Sequence, residues 1–199
     1  MAEASGGERA WVWYGGQPSV DFVNTRRRRH AEPVEYLTEP ADLAAWFAAA
    51  DLAPARSGRA RRAAGPDDAL FARALDLREA VDSGIRAAVD GTAIPDTALD
   101  TLNAWLADTP SPRLHRDGPD VVLRGPADTD PALHALHALA ADAAQLLGSP
   151  DRARLRVCPG PNCGGRFVDR SPSGRRRWCS MAVCGNRAKA AKHRETARD

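Results

Sequence analysis

Two short cysteine pairs decide the fold of the C-terminal part of this chain: CPGPNC at residues 158–163 and CSMAVC at residues 179–184. They hold all four cysteines of the protein, in the pattern Cys158-x4-Cys163-x15-Cys179-x4-Cys184. Two close pairs separated by a longer segment are typical of a tetrahedral Zn²⁺ site, because each tight turn supplies two thiolates. We therefore predict one zinc ion bound by these four residues. Four protein thiolates leave no open coordination position, so the ion is expected to be structural.

Disulfides and a redox dithiol are the other common uses of paired cysteines. The N-terminal residues MAEASGGERA contain no apolar signal core, which argues against export and therefore against disulfides. Redox pairs have two residues between the cysteines, whereas both pairs here have four. Zinc is the favoured interpretation.

The residues around the cysteines predict the rest of this module. Gly160, Pro161 and Gly164 favour a tight knuckle at the first pair. The segment between the pairs is expected to form two strands, at 167–168 and 177–178, and a helix is expected to begin at the fourth cysteine. Knuckle, hairpin and helix in this order predict a treble-clef-like zinc module with four cysteine ligands over residues 151–195.

Charge is distributed unevenly along the chain. Residues 151–199 carry 13 Lys and Arg against 4 Asp and Glu, whereas residues 1–150 carry 15 against 22. A basic segment on an acidic body is expected where one part of a protein meets a polyanion, although an arginine-rich surface without such a role explains the charge equally well. A helix after the fourth cysteine would present side chains that pair with base edges or neutralise phosphates. The predicted DNA contacts are Arg175, Arg176, Arg177, Arg187, Lys189, Lys192, His193 and Arg194. Structural roles near the metal are favoured for Gly185 and Asn186, and for Arg187 both roles remain open.

The preceding residues, 10–150, predict a mostly helical domain. Apolar residues at spacings of three and four indicate helices from Pro40, from about Asp67 to Gly91, from Asp96 to Ala107 on a stripe of Leu99, Leu102 and Leu106, and from Pro131 to Leu147. RLHRDGPDVVLR at 113–124 predicts a hairpin with Asp-Gly at its turn, and residues 53–66 predict a loop. The fold class is thus mainly α with a small antiparallel β element.

The N-terminal end of this domain carries its candidate ligand residues. A short aromatic strand at 11–14 is expected to precede a helix opened at Pro18, and RRRRH at 26–30 is expected to be a solvated basic run. Asp21, Asn24 and Thr25 lie near the aromatic residues and are candidates for a small-molecule effector pocket. The alternative, which we favour, is that they cap a helix while the aromatics join the core. His134 and His137 are expected to be exposed or half-buried rather than metal ligands.

Two stretches resemble known families. RFVDRSPSGRRRWCSMAVCGNRAKAAKHR, residues 166–194, resembles the CGNR zinc finger, named for the four residues at 184–187. The body is similar to the ABATE domain through DFVNT at 21–25 and DLAAWFAAADL at 42–52. The resemblance implies an ABATE-like regulatory domain over 10–150, a zinc-binding finger over 151–195, and a transcription regulator that binds DNA.

The sequence also narrows the function classes. GxSxG, HExxH, phosphate-loop and GxGxxG motifs are absent, so no enzyme activity is expected. No apolar run approaches the about 20 residues of a membrane span, so no membrane partner and a cytoplasmic location are expected. The predicted function is DNA-binding transcription regulation, with the N-terminal domain sensing an effector or forming a homodimer. The alternatives are an RNA- or protein-binding zinc module, and an enzyme with a merely structural finger, which a deep pocket holding a carboxylate of raised pKa would favour.

Overall fold

Helices form most of the architecture in the computed structural model, which describes residues 11–52, 65–109, 113–124 and 130–196. The helices are α1 (Pro18–Val23), α2 (Pro40–Ala49), α3 (Asp68–Asp90), α4 (Asp96–Ala107), α5 (Pro131–Leu147) and α6 (Asn186–Thr196). The strands are β1 (Arg26–Arg27), β2 (Val34–Glu35), β3 (Arg113–Asp117), β4 (Asp120–Arg124), β5 (Leu155–Val157) and β6 (Arg166–Val168). They pair in order as three antiparallel two-stranded sheets. The predicted fold class, mainly α with small antiparallel β elements, is confirmed.

The helix ends follow from local chemistry. The Asp67 carboxylate accepts a hydrogen bond from the Leu70 amide at 2.7 Å and so caps α3, and Gly91 ends that helix in the left-handed conformation, with φ of 68°. Asp130 caps α5 in the same way through the Ala132 amide at 2.8 Å. The predicted bounds of α4 and α5 agree with the structure.

Helix α1 lies at the centre of the core. Val20, Phe22 and Val23 are fully buried, and α1 packs against α3, α5 and β6. Trp46 of α2 lies against Phe22, with ring centroids 5.2 Å apart. Leu155 and Val168, from the two strands of the β5–β6 hairpin, belong to this same core. The zinc module is therefore packed onto the body rather than tethered beside it.

Several predictions for the body are wrong in detail. Residues 11–14 are not in a strand. In α4 Leu99 is 40% exposed, and the buried stripe runs through Ala98, Leu102 and Trp105, because these three residues face α3 and α5. The loop predicted at 53–66 falls mostly outside the described residues.

The basic run at 26–30 is not a solvated surface. The Arg29 side chain is only 9% exposed and forms two hydrogen bonds to the Glu79 carboxylate, at 2.6 and 3.0 Å. Asp82 lies 3.3 Å from the same guanidinium. These carboxylates of α3 draw the run against the body, and within the run only His30 is exposed.

His137 also differs from expectation, since it is 3% exposed. Its Nδ1 lies 2.9 Å from the Trp105 carbonyl oxygen, and its ring packs edge-on against the Trp105 indole. His134 is exposed, as expected. Among the described residues, no helix has the length and apolar character needed to cross a membrane.

Candidate metal centre and nucleic-acid interface

The four cysteine sulfurs converge on one point. All four Sγ atoms lie within 4.8 Å of one another, with 3.5 Å between Cys163 and Cys179 and 3.7 Å between Cys179 and Cys184. A tetrahedron with Zn–S bonds of about 2.3 Å has sulfurs about 3.8 Å apart. The observed distances match that geometry, and the fourth ligand, Cys158, completes the set.

The first cysteine pair occupies the turn between β5 and β6. The Cys158 amide donates to the Gly165 carbonyl at 2.8 Å, and the Cys163 amide donates to the Gly160 carbonyl at 3.0 Å. A Cβ at position 160 would stand 3.3 Å from the Cys163 Cβ, a tight contact, and 3.4–3.5 Å from the sulfurs of Cys184 and Cys158. Gly160 therefore lies directly against the metal ligands, where a larger side chain would crowd Cys163.

The second pair is positioned differently from the prediction. No strand forms at 177–178, and β6 pairs instead with β5, with Leu155 opposite Val168. The reason lies at Asp169, whose carboxylate accepts hydrogen bonds from the Ser171 amide and hydroxyl and from the Arg176 amide. These bonds fold residues 169–176 into a compact turn. A π-helical turn, Met181–Gly185, then carries the fourth cysteine into α6.

The electrostatics of the sulfur cluster favour a divalent cation. Hydrogen bonds from Cys163 and Cys179 lower the pKa of Cys158 to about 2, so one thiolate is stable there. Burial, with the sulfurs of Cys163 and Cys158 adding to it, raises the pKa of Cys184 to about 12. A second negative charge in the cluster is thus costly without a cation, and Zn²⁺ supplies one. The donor set fits one structural zinc ion held by Cys158, Cys163, Cys179 and Cys184.

Arg176, a predicted DNA contact, is directed inward. Its Nε donates to the Trp178 carbonyl at 2.9 Å, and its Nη2 donates to the Cys179 carbonyl. The guanidinium carbon lies 4.6 Å from the centroid of the Phe167 ring. This arginine braces the second cysteine pair.

The other predicted DNA contacts face outward. Arg177 lies over the Trp178 ring, with 5.3 Å between the guanidinium carbon and the ring centroid. Helix α6 contains no buried residue. The exposed members of the predicted set are Arg175, Arg177, Arg187, Lys189, Lys192, His193 and Arg194.

Gly185 and Asn186 support the start of α6. Gly185 is buried, and a Cβ there would overlap the Met181 side chain and stand 3.3 Å from the Trp178 ring. Asn186 is exposed, and its Nδ2 donates to the Ala182 carbonyl at 3.2 Å. Both contacts are consistent with the structural roles favoured for these residues.

Sequence reasoning missed the bonds that join the module to the body. The Asn24 carboxamide donates to the Arg166 carbonyl and accepts from the Arg166 amide, both at 2.9 Å. The Arg166 guanidinium forms a buried ion pair with Asp82 at 2.7 Å. The Arg28 amide donates to the carbonyl of Cys163, a zinc ligand, at 3.1 Å. In the sequence, the one related signal was the family-like DFVNT stretch at 21–25, which contains Asn24 but does not indicate that Asn24 bonds to Arg166.

The proposed effector residues do not line a usable pocket. Asp21, Asn24 and Thr25 are all buried and border a cavity of about 10 Å³, which holds about one water molecule. Asp21 accepts from the Gly15 amide at 2.7 Å, and burial, with Asp142 adding, raises its pKa to about 6. Thr25 donates to the Phe22 carbonyl at 2.7 Å. These groups are satisfied within the protein, and Asn24 lies at the C-cap of α1.

A much larger cleft lies between α3, the 26–33 segment and the β5–β6 hairpin. Its volume is about 560 Å³, which falls within the range typical of ligand sites. Arg29, Asp82 and Arg166 form its buried charged floor, while Arg26 and Arg86 stand more exposed at its sides.

Comparisons with known families agree with this architecture. The ABATE family, described as "Putative stress-induced transcription regulator", matches residues 16–150. The CGNR zinc finger matches residues 154–197. A comparison with curated proteins gave no match.

Proposed function

The chain belongs to the ABATE family and carries a CGNR zinc finger, and from that premise we propose that it is a transcription regulator whose helix α6 enters the major groove of DNA. The observation that carries the proposal is that α6, 11 residues long, buries no residue. Apart from three alanines α6 carries only polar side chains, so it lacks the stripe of large apolar residues that normally holds a helix to its own protein. An external polyanion would supply the missing partner.

The charge of α6 fits that partner. Arg187, Lys189, Lys192 and Arg194 are all exposed, against a single acidic residue, Glu195. The helix is about 16 Å long, enough to lie within a major groove about 12 Å wide. Arg175 and Arg177 add two exposed cations from the preceding loop.

Two faces of α6 suggest a division of roles. Arg187 and Arg194 are seven residues apart and share one face, where guanidinium groups suit guanine edges. Lys189 and His193 share the neighbouring face, where lysine suits phosphate. Arg187 and Cys184 line the same groove beside the metal turn. Because part of the Arg187 side chain lies against this turn, only the outer end of that side chain is proposed to contact DNA.

The test is the salt dependence of binding to duplex DNA selected from a random library. Six exposed cations, four on α6 and two before it, predict a slope of log K against log salt of about −5. Lys189→Ala should reduce the magnitude of the slope by about 1. Arg152→Ala is the matched control, because Arg152 is exposed but lies before β5, and it should leave the slope unchanged.

The two outcomes separate the function classes. An enriched DNA motif that is lost in Lys189→Ala and Arg194→Ala supports the regulator. No enriched motif, with a slope that neither variant changes, would overturn it in favour of an RNA- or protein-binding zinc module.

The proposal gives the N-terminal domain a sensing role at the large cleft rather than at Asp21. Segment 26–33 borders the cleft, and its Arg28 amide donates a hydrogen bond to the Cys163 carbonyl. An effector bound in the cleft would therefore contact a segment that is bonded directly to a zinc ligand. Four arginines line the cleft against three acidic residues, Glu79, Asp82 and Asp90, so the lining carries one excess positive charge and an anionic effector is the class to test first. A panel of carboxylates and phosphates should include one that raises the melting temperature of the intact protein; a panel without any shift would remove the cleft from the proposal.

No catalytic step is part of the proposal. Asp21 has the raised pKa expected of a catalytic carboxylate, but its cavity of about 10 Å³ excludes a substrate. As a DNA-binding regulator without an enzymatic role, the protein is assigned to the cytoplasm.

A further inference from the structure

A groove beside the metal turn lies between the body and the base of α6, and we call it the metal-side groove. One wall carries Trp13 and Arg27 of the body, and the other carries Ser180, Val183 and Arg187 of the zinc module. Its volume is about 270 Å³, just below the about 300–1,000 Å³ of a typical small-molecule site. The groove is therefore better suited to part of a large ligand than to an enclosed small one.

Arg27 reaches the metal-side groove because of its place in β1. Successive side chains of a strand face opposite sides. Arg26 lines the large cleft, 3.7 Å from the Glu79 carboxylate, whereas Arg27 lines the metal-side groove. The Arg27 Nη1 donates to the Tyr36 hydroxyl at 3.3 Å, and its guanidinium carbon lies 5.5 Å from the centroid of the Tyr36 ring. These contacts hold the side chain in place and leave most of its N–H donors for a ligand.

The mouth of the metal-side groove is positively charged. Arg27 and Arg187 line it, no aspartate or glutamate does, and neither arginine forms an ion pair with a carboxylate in the described part of the chain. The zinc-bound thiolates carry negative charge, but Cys179 and Cys184 are buried, at 1 and 4% exposure, whereas Arg187 is exposed. A ligand at the mouth therefore meets the guanidinium groups, and an anionic group is the one they favour.

The remaining groups of the groove suit a sugar next to that anion. The Ser180 hydroxyl accepts a hydrogen bond from the Val183 amide at 3.3 Å, so its own O–H can donate to a phosphate oxygen. Trp13 and Val183 are 48 and 53% exposed and offer an apolar surface to a deoxyribose ring. The backbone of DNA alternates such a ring with a phosphate, which matches the mixed apolar and cationic lining.

We propose that the metal-side groove binds the sugar-phosphate backbone of the DNA strand that flanks α6, with Arg27 of the body contacting a phosphate. The inference rests on the proposed function, because Arg187 joins the groove to the helix assigned to the major groove. Contacts to phosphates fix the orientation of a protein on the duplex and carry no sequence information. The body thereby orients α6 on DNA, while α6 reads the bases.

The test measures binding of the zinc-loaded full chain to the selected duplex at several salt concentrations. Arg27→Ala should reduce the magnitude of the slope of log K against log salt by about 0.9, which is an eightfold loss of affinity at about 0.1 M salt relative to 1 M. The selected motif should stay the same. Arg27→Lys keeps the charge and should keep the slope of the parent protein.

Arg73→Ala is the matched control. Arg73 also lies over an aromatic ring, 4.5 Å from the centroid of Trp105, but it is on the exposed surface of α3. Its replacement removes the same charge and the same kind of ring contact, and it should leave the slope unchanged. Zinc content and circular dichroism show whether each variant is folded.

A second measurement locates the contact on the DNA. Phosphates of the selected duplex are replaced one at a time by neutral methylphosphonates. At least one replacement should weaken binding of the parent protein but not of the Arg27→Ala protein, because the variant has already lost the partner of that phosphate.

The outcomes separate this inference from the proposed function. An Arg27→Ala slope equal to that of Arg73→Ala, or no phosphate whose effect depends on Arg27, would overturn the inference. The proposed function would still stand if Lys189→Ala reduced the slope in the same experiment. A parent protein that selects no duplex motif would overturn both, and an Arg27 effect found only with duplex RNA would overturn the assignment of the groove to DNA.

Discussion

Replacing Asn24 with alanine tests whether the zinc module and the body unfold together. Asn24 is 2% exposed, and its carboxamide forms two hydrogen bonds of 2.9 Å with the backbone of Arg166. It thus pairs with β6 as a neighbouring strand would. Alanine removes both partners and leaves the amide and carbonyl of Arg166 without these bonds in a buried place.

The expected loss can be worked from those two groups. Leaving one buried donor or acceptor unsatisfied costs about 1–3 kcal/mol. Two such groups, with partial relaxation of the junction, predict that Asn24→Ala lowers the free energy of unfolding by about 3 kcal/mol. That is a large fraction of the about 5–15 kcal/mol that stabilises a typical domain.

The assay is urea unfolding of the zinc-loaded protein, followed by tryptophan fluorescence and by capture of released zinc with a colorimetric chelator. Both signals should change in one transition, and Asn24→Ala should move both to lower urea by the same amount. Asn103→Ala, on the exposed side of α4, is the matched control and should change the free energy of unfolding by less than about 0.5 kcal/mol.

Two results would refute the reasoning. An Asn24→Ala protein as stable as the Asn103→Ala protein would show that the two bonds contribute little. Zinc release in a separate transition, with the fluorescence midpoint unchanged, would show that the module unfolds independently of the body.

Three further predictions concern the metal, the knuckle and a buried acid. Zinc affinity should fall at least tenfold per pH unit as the pH drops from 8 to 6, because zinc binding must displace thiol protons. Cys184 holds such a proton, since burial raises its pKa to about 12. A chelator competition that shows no pH dependence of zinc affinity would contradict this. Gly164→Ala should lower the melting temperature for two reasons: the new Cβ overlaps the His30 ring, and the Gly164 backbone has a φ of 61°, which strains any other residue. Adding His30→Ala removes only the overlap and should recover only part of the loss. Full recovery would exclude backbone strain as a cause. Burial raises the pKa of Asp21 from 3.8 to about 6, so between these pH values the folded protein holds a proton that the unfolded chain releases. The parent therefore loses stability as the pH rises from 3.8 through 6, and Asp21→Asn should gain stability relative to it over that range in urea unfolding. A difference that stays constant across that range would be contrary evidence.

The metal centre was predictable because its determinants are local. Two ligands in each six-residue turn fix two pairs of sulfurs, and zinc itself requires the pairs to meet. The ends of α4 and α5 were predictable for a similar reason, since proline, aspartate and glycine act within one turn of their own position. Sequence alone therefore predicted the parts of the fold that neighbouring residues determine.

The missed features all depend on partners distant in the chain. Arg29 was expected in solvent because nothing nearby in sequence indicated Glu79, 50 residues away. His137 was expected to be at least half-exposed, yet Trp105 provides both a carbonyl acceptor and a ring to cover it. Arg176 was grouped with its arginine neighbours, although only the fold shows that its guanidinium lies over Phe167. Residue type gives the charge of a side chain, but the tertiary partner decides whether that charge meets a carboxylate, a carbonyl or water.

These distant contacts determine how α6 is presented. A helix that buries nothing takes its orientation from its attachment, which here is the π-helical turn at Cys184. The metal links that turn to Cys163, and the Cys163 carbonyl accepts the Arg28 amide from a segment anchored on α3 by Arg29. Any change in the position of that segment must either break these bonds or move the knuckle with it. Under the proposed function, the segment at 26–33 is therefore one part of the body through which an event in the large cleft would reach α6, and the Asp82–Arg166 ion pair at the cleft floor is another.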